Sequence, residues 1–137
     1  HEVRWQQLQS TAQLQQRRRE LLSETTEQKL HIGGEEVSLL VPTYSLDVAS
    51  HASAAKAGAG TVSDVLWVAE QQLTELLLQR VDLWKTADAV WELGAGLGLA
   101  GVAVAKAGAQ QVFLADRDSD ILQLAARSAA LNNVESR

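Results

Sequence analysis

The chain has 137 residues, 46% of them hydrophobic, which suits one domain with a real core. Its formal net charge of −5 argues against a general nucleic-acid binder, and no apolar run approaches the roughly 20 residues of a membrane span. Because the sequence contains no cysteine, disulfides, thiolate zinc sites and cysteine nucleophiles are excluded, and we expect a reducing cytoplasmic setting, with a nuclear one as the alternative.

The chain begins with a predicted long helix. Residues 3–23 consist mainly of Gln, Leu, Arg and Glu, which are good helix formers, and Trp5 is interpreted as a packing residue that docks this helix. The helix carries three consecutive arginines, Arg17, Arg18 and Arg19. Since three consecutive residues cannot share one helix face, we interpret them as a solvated surface rather than a contact for an acidic protein.

A β-hairpin is predicted next, over Leu30–Val41. Two strand-like runs flank Gly33–Gly34, and glycine supplies the positive φ that a tight turn needs. Pro42 should end the second strand, because proline cannot donate to a sheet. Residues 49–60 are small and weakly patterned, so we predict a flexible loop there.

The second half of the chain alternates between helical and strand-like runs. A helix is predicted from a cap at Ser63, with Asp64 in its first turn, to about Arg80. Parallel strands joined by helices follow from the order of the later elements, which indicates an α/β fold of the doubly wound type. The predicted later elements are, in order, strand Ala89–Leu93, helix Leu99–Ala107, strand Gln111–Ala115 and helix Asp118–Leu131. Trp91 is expected to lie in a strand that is buried on both faces.

A glycine-rich turn, with Gly94, Gly96 and Gly98, follows the first of these strands. Open α/β sheets bind ligands at the carboxyl ends of their strands, and glycines let the backbone approach a ligand closely. The run Gly96–Gly101 matches G-x-G-x-x-G, and Asp116 lies about 20 residues further on, as a ribose-binding acid would. One interpretation is therefore an NAD(P)-binding oxidoreductase domain.

Glu92 favours a different ligand. A carboxylate two residues before the first glycine is unfavourable beside a pyrophosphate, whereas it suits a cationic ligand. The run Glu92–Gly98, E-L-G-A-G-L-G, resembles the first motif of seven-strand methyltransferases, in which this carboxylate lies near the methionine part of S-adenosylmethionine. We therefore place S-adenosylmethionine binding ahead of dinucleotide binding.

Residues 61–133 as a whole resemble the start of the family-16 methyltransferases, S-adenosylmethionine-dependent enzymes that largely act on protein lysines. The matching segments are Trp67, Val90–Gly101, Val112–Asp116 and Leu131–Asn132. Two departures from the family pattern are Val68, where the family usually has proline, and Ser128, where it commonly has asparagine. The upstream hairpin and its Trp-containing helix are most similar to the calmodulin-lysine methyltransferase branch.

The resemblance implies a partial Rossmann-like seven-strand fold, its first two strand–helix units, preceded by an N-terminal helix and hairpin. It divides the chain into residues 1–60 and a cofactor-binding domain at 61–137. It also implies a protein lysine as methyl acceptor. No metal site is expected, because His31 and His51 have no second ligand nearby in the sequence. The implied cofactor is S-adenosylmethionine. The glycines and Glu92 would line its methionine end, Asp116 would hold the ribose, and the tryptophan would lie beside the pocket. The expected cofactor-binding residues are Trp67, Glu92, Gly94, Gly96, Gly98 and Asp116.

The chain lacks methionine, including at position 1, and stops at Arg137. We therefore expect the front portion of a methyltransferase, with about half of a cofactor pocket and with catalytic residues that cannot be assigned. An open sheet edge would favour self-association. A third interpretation is a non-catalytic methyltransferase-fold module that is retained for protein contacts.

Overall fold

The computed structural model describes residues 2–136, and side chains are described from residue 11 onward, so the docking predicted for Trp5 lies outside the described residues. The architecture is mixed α/β. No helix among the described residues is long and apolar enough to cross a membrane. In chain order the helices and strands are α1 (Glu2–Ser23), β1 (Thr25–Ile32), β2 (Glu35–Pro42), α2 (Val48–Lys56), α3 (Val68–Gln79), β3 (Val90–Leu93), α4 (Leu99–Lys106), β4 (Val112–Ala115) and α5 (Ser119–Leu131).

The predicted hairpin is confirmed, with a longer first strand. β1 and β2 pair antiparallel from Thr25 opposite Pro42 to Ile32 opposite Glu35. Gly33 and Gly34 form the turn with positive φ angles of 55° and 86°. Alternate residues of β2 point into the core, where they are fully buried: Val37, Leu39 and Val41.

Helix α5 covers the free edge of β2 with polar side chains. The backbone N–H of Leu40 donates to Ser128 Oγ at 2.9 Å, and that of Ser38 donates to Asn132 Oδ1 at 3.0 Å. The Asn132 amide in turn donates to the Ser38 carbonyl at 2.6 Å. These bonds satisfy backbone groups that an edge strand otherwise leaves unpaired, and they fasten the hairpin to the C-terminal half of the chain.

The predicted strand–helix–strand–helix order of the second half is confirmed. β3 and β4 pair in parallel, with Val90 opposite Val112 and Leu93 opposite Ala115. Between them runs α4, whose residues from Leu99 to Ala105 are all buried. Small residues are required there, since a Cβ on Gly101 would lie 2.3 Å from a Leu114 methyl carbon.

The prediction of a flexible loop over residues 49–60 is wrong for most of the segment. Helix α2 occupies Val48–Lys56, with Asp47 as its N-cap. The Asp47 carboxylate accepts hydrogen bonds from the backbone of Ala49 at 3.1 Å and Ser50 at 3.3 Å. Alanine has the highest helix propensity of all residues, so a polar cap followed by an alanine-rich run suffices even without an apolar stripe.

The prediction that Ser63 caps a helix reaching Arg80 is wrong at its start. Thr61 and Asp64 instead form their own capping box around a 3₁₀ turn at Val62–Asp64, and α3 begins only at Val68. The helix cannot continue through Val65, because this residue has extended backbone angles of −106° and 137°. Asp64 is the last residue of the 3₁₀ turn, and its carboxylate is completely buried.

Two predictions about single side chains are also wrong. Trp91 is 63% exposed rather than buried, and it stacks on Phe113 with ring centroids 4.4 Å apart. The α4-facing side of the β3–β4 pair is packed, whereas the side that carries these rings is open. Arg18 is not part of a solvated surface, since its side chain is only 11% exposed and forms ion pairs with Asp64 and Asp118. Trp84, in contrast, packs in the interior and is only 4% exposed.

Candidate functional site at the glycine turn

A cleft of about 1070 Å³ opens between α3 and the carboxyl end of β3. Its size is in the range of small-molecule and cofactor sites. Of the six residues predicted to bind a cofactor, five line this cleft: Trp67, Glu92, Gly94, Gly96 and Asp116. The sixth, Gly98, is not among the lining residues. A Cβ there would lie 2.9 Å from a Leu114 methyl carbon and 3.1 Å from the Ala125 Cβ, so this glycine permits close packing behind the turn.

The glycine turn has the left-handed backbone that its sequence predicts. The φ angles are 70° at Gly94, 51° at Gly96 and 77° at Gly98. The turn is anchored to the end of β4, because the N–H groups of Gly94 and Ala95 both donate to the Ala115 carbonyl, at 2.7 and 3.0 Å. A Cβ on Gly94 would meet nothing within 4 Å, so the backbone there faces open space in the cleft.

Two carboxylates occupy the N-terminus of α4. Glu70 Oε1 accepts a hydrogen bond from the Leu99 N–H at 2.8 Å, and Glu92 Oε2 accepts one from the Gly101 N–H at 2.7 Å. These are the amide groups that a helix N-terminus usually offers to a phosphate. Because acids already hold them, this arrangement opposes a pyrophosphate and presents negative charge to the cleft.

Glu70 is a site residue that the sequence reasoning missed. It lies in the first turn of α3, 29 residues before the amide that it binds. Burial raises its pKa to about 7, and the nearby charge of Glu92 adds to that shift, against the Leu99 hydrogen bond. Burial likewise raises the pKa of Glu92 to about 7, against the hydrogen bond from Gly101. No local pattern in the sequence points from α3 to the glycine turn.

The pH dependence of unfolding tests this burial. A carboxyl whose pKa rises from 4.5 to about 7 on folding adds stability below its unfolded pKa and loses it as the pH rises through about 7. We therefore expect the urea midpoint of the wild-type chain to fall between about pH 5 and pH 8, and the midpoint of Glu92→Gln to fall less. The exposed Glu27→Gln should follow the wild type. An equal fall of the urea midpoint with pH in the wild type and in Glu92→Gln would contradict the prediction.

Asp116 and Trp67 line the cleft from two different elements, the end of β4 and the start of α3. Asp116 accepts hydrogen bonds at 2.9 Å from the N–H groups of Gly96 and Asp118, which fixes its carboxylate at the end of β4. Trp67 stands at the N-cap position of α3, is 52% exposed, and donates its indole N–H to the Val62 carbonyl at 2.8 Å. These hydrogen bonds orient both side chains and leave part of each exposed.

Metal-ligand geometry is not found in the part of the chain with described side chains: no three His, Asp or Glu residues there are grouped to hold an ion. His51 instead bonds the Thr61 carbonyl at 3.1 Å and stacks on Tyr44. The polar side chains that line the cleft are three carboxylates, one guanidinium and one hydroxyl, besides the indoles of Trp67 and Trp91: Glu70, Glu92, Asp116, Arg117 and Ser63.

The cleft lies within a segment of the chain that matches a known protein family. No curated protein and no solved structure matches the chain. The family model described as lysine methyltransferase matches residues 50–137, which is more than half of the chain and includes every residue that lines the cleft. The chain belongs to this lysine methyltransferase family.

Proposed function

We propose that the chain binds S-adenosylmethionine in the cleft at the glycine turn and serves methyl transfer to a protein lysine. The observation that carries the proposal is the pair of carboxylates, Glu70 and Glu92, that α4 holds at the turn. S-adenosylmethionine has a cationic amino group and a cationic sulfonium, and carboxylates in a partly buried site attract such groups strongly. Membership of the lysine methyltransferase family supports the same ligand and acceptor.

Six of the residues that line the cleft have a chemical role in this proposal. Glu92 and Glu70 bind the cationic methionine end, and Gly94 and Gly96 allow the backbone to approach it. Asp116 accepts hydrogen bonds from the ribose hydroxyls, and Trp67 lies beside the cofactor at the rim. When bound, the cofactor would supply an electrophilic methyl group to a neutral lysine amine, with S-adenosylhomocysteine as the leaving group. The chain's own contribution is to hold the cofactor in one orientation.

Five finer parts of the proposal start from the sequence. We propose that β3 and β4 belong to a seven-strand Rossmann-like sheet, in keeping with their parallel register and the helices beside them. The likeness to the calmodulin-lysine branch and the cytoplasmic location remain predictions. So do the division of the chain after residue 60 and its self-association.

A thermal-shift comparison tests the proposed ligand. S-adenosylhomocysteine at about 100 times its Kd should raise the melting temperature by about 8 °C, whereas NADH and NADPH should leave it unchanged. Stabilisation by a nicotinamide dinucleotide alone would overturn the proposal in favour of an oxidoreductase domain. Stabilisation by neither ligand would overturn it in favour of a non-catalytic module.

A further inference from the structure

Arg18 connects the N-terminal helix to both sides of the cleft. Its neighbours Arg17 and Arg19 are exposed, whereas its own guanidinium reaches across to two carboxylates. Its Nη1 and Nη2 donate to the two oxygens of Asp64, at 2.9 and 2.7 Å, and Nη2 also bonds Asp118. A planar guanidinium suits this arrangement, because its fork can bind one carboxylate in a bidentate manner and still reach a second.

The first carboxylate leads to the tryptophan side of the cleft. Asp64 ends the 3₁₀ turn Val62–Asp64 and accepts the Thr61 N–H at 2.8 Å, so it fixes the shape of that turn. The Val62 carbonyl in the same turn accepts the indole N–H of Trp67. The orientation of Trp67 therefore depends on the turn that Arg18 holds.

The second carboxylate leads to the ribose side of the cleft. Asp118 caps α5, and its N–H donates to Asp116 Oδ1 at 2.9 Å. Asp116 Oδ2 accepts the N–H of Gly96 in the glycine turn. Ser63 joins the two sides, since its Oγ bonds Asp118 at 3.4 Å and its carbonyl would lie 3.4 Å from a Cβ on Gly96.

The charges explain why Arg18 holds both sides firmly. Burial alone would raise the pKa of Asp64, but hydrogen bonds from Arg18, Tyr44 and Thr61 hold it below its usual range. Burial alone would lower the pKa of Arg18, but the hydrogen bond and charge of Asp64 and the charge of Asp118 raise it. Arg18 and Asp64 are therefore both charged at neutral pH, in a site with little access to water.

We propose that Arg18 is a positioning residue of the cofactor site, which sets the relative placement of Trp67 and Asp116 through Asp64 and Asp118. This inference rests on the proposed function for its ligand, and on the contacts alone for the coupling of the two sides. It gives α1 a part in cofactor binding, although none of the α1 residues with described side chains, 11–23, lines the cleft.

Arg18→Lys is the main variant, because lysine keeps the charge but cannot bind both carboxylates in the same manner. Arg19→Lys is the matched control on the same helix. Hydrogen exchange of the ligand-free chain should rise in segments 61–67 and 116–120 of Arg18→Lys, with the hairpin at 25–42 unchanged. The Kd for S-adenosylhomocysteine, measured by titration on the folded protein, should rise about tenfold in Arg18→Lys and stay unchanged in Arg19→Lys.

Asp118→Asn provides a second variant that keeps a good N-cap residue on α5. If Arg18 acts through Asp118, the double variant Arg18→Lys/Asp118→Asn should bind S-adenosylhomocysteine no more weakly than the weaker-binding single variant does. Unchanged exchange on either side of the cleft, an equal rise in the hairpin, additive effects, or an unchanged Kd would each overturn the inference. If the wild type binds no S-adenosylhomocysteine, the proposed function fails, and the exchange measurement alone decides whether Arg18 couples the two sides.

Discussion

Glu92→Gln is expected to weaken the binding of S-adenosylhomocysteine by about 10- to 100-fold, the equivalent of about 1.5–3 kcal/mol for a hydrogen bond to a charged group. The amide oxygen of glutamine can still accept the Gly101 N–H, so the glycine turn and α4 keep their anchor. What the variant removes is the negative charge that faces the cationic methionine end. Isothermal titration calorimetry near pH 8, where the carboxyl of the wild type is ionised, measures the difference.

The matched control is Glu27→Gln, the same chemical change at an exposed position of β1, remote from the cleft in the sheet of the hairpin. It should bind as the wild type does. Glu70→Gln should also weaken binding, since this carboxylate shares the N-terminus of α4. Wild-type affinity in both Glu92→Gln and Glu70→Gln would remove the argument for a cationic ligand.

Asp64→Ala is expected to have the largest effect on stability, a loss of about 3–5 kcal/mol in the free energy of unfolding. The substitution leaves the buried guanidinium of Arg18 and the hydroxyl of Tyr44 without their shared acceptor. The loss is large because Arg18 keeps only Asp118 as an acidic partner in a site with little access to water, and because the Thr61 N–H also loses its acceptor. Urea unfolding monitored by circular dichroism gives the value.

An exposed ion pair serves as the comparison. Arg80 and Asp82 are bonded at 2.7 Å but are both more than half exposed, so Asp82→Ala should lower the free energy of unfolding much less than Asp64→Ala does. The pH profile adds a second criterion. Because the folded pKa of Asp64 is lowered, its contribution is present above its unfolded pKa near 3.8 and is lost as the pH falls through the folded value. This account would be contradicted if Asp64→Ala and Asp82→Ala lost similar free energies of unfolding. It would also be contradicted if the stability of Asp64→Ala fell at acidic pH as steeply as that of the wild type.

Much of the fold could be predicted from local sequence, because its elements carry their own signals. The hairpin followed from Gly33–Gly34, and the parallel pair followed from two short apolar runs around a small-residue helix. The prediction failed where a local pattern was weak or was overridden. Helix α2 has a cap and high helix propensity but no apolar stripe, and the start of α3 was displaced by the buried contacts of Asp64.

The residues of the candidate site likewise fall into those that local sequence predicted and those that it did not. The glycine turn, Glu92 and Asp116 lie within one strand–turn–helix–strand unit, so their spacing alone brought them together as a prediction, and they do line one cleft. Glu70 binds an amide 29 residues away, and Arg18 binds carboxylates 46 and 100 residues away. No periodicity links such positions.

The strand–turn–helix order, the left-handed glycine turn and the acid that precedes it follow from local sequence, because they depend on neighbouring residues and on the absence of a Cβ. Packing between distant segments is what brings a second carboxylate to the helix N-terminus and buries one arginine of three against Asp64 and Asp118. The physical reason is that burial and charge pairing arise when distant segments pack together, and they decide which of several similar residues is stabilised in a charged, desolvated position.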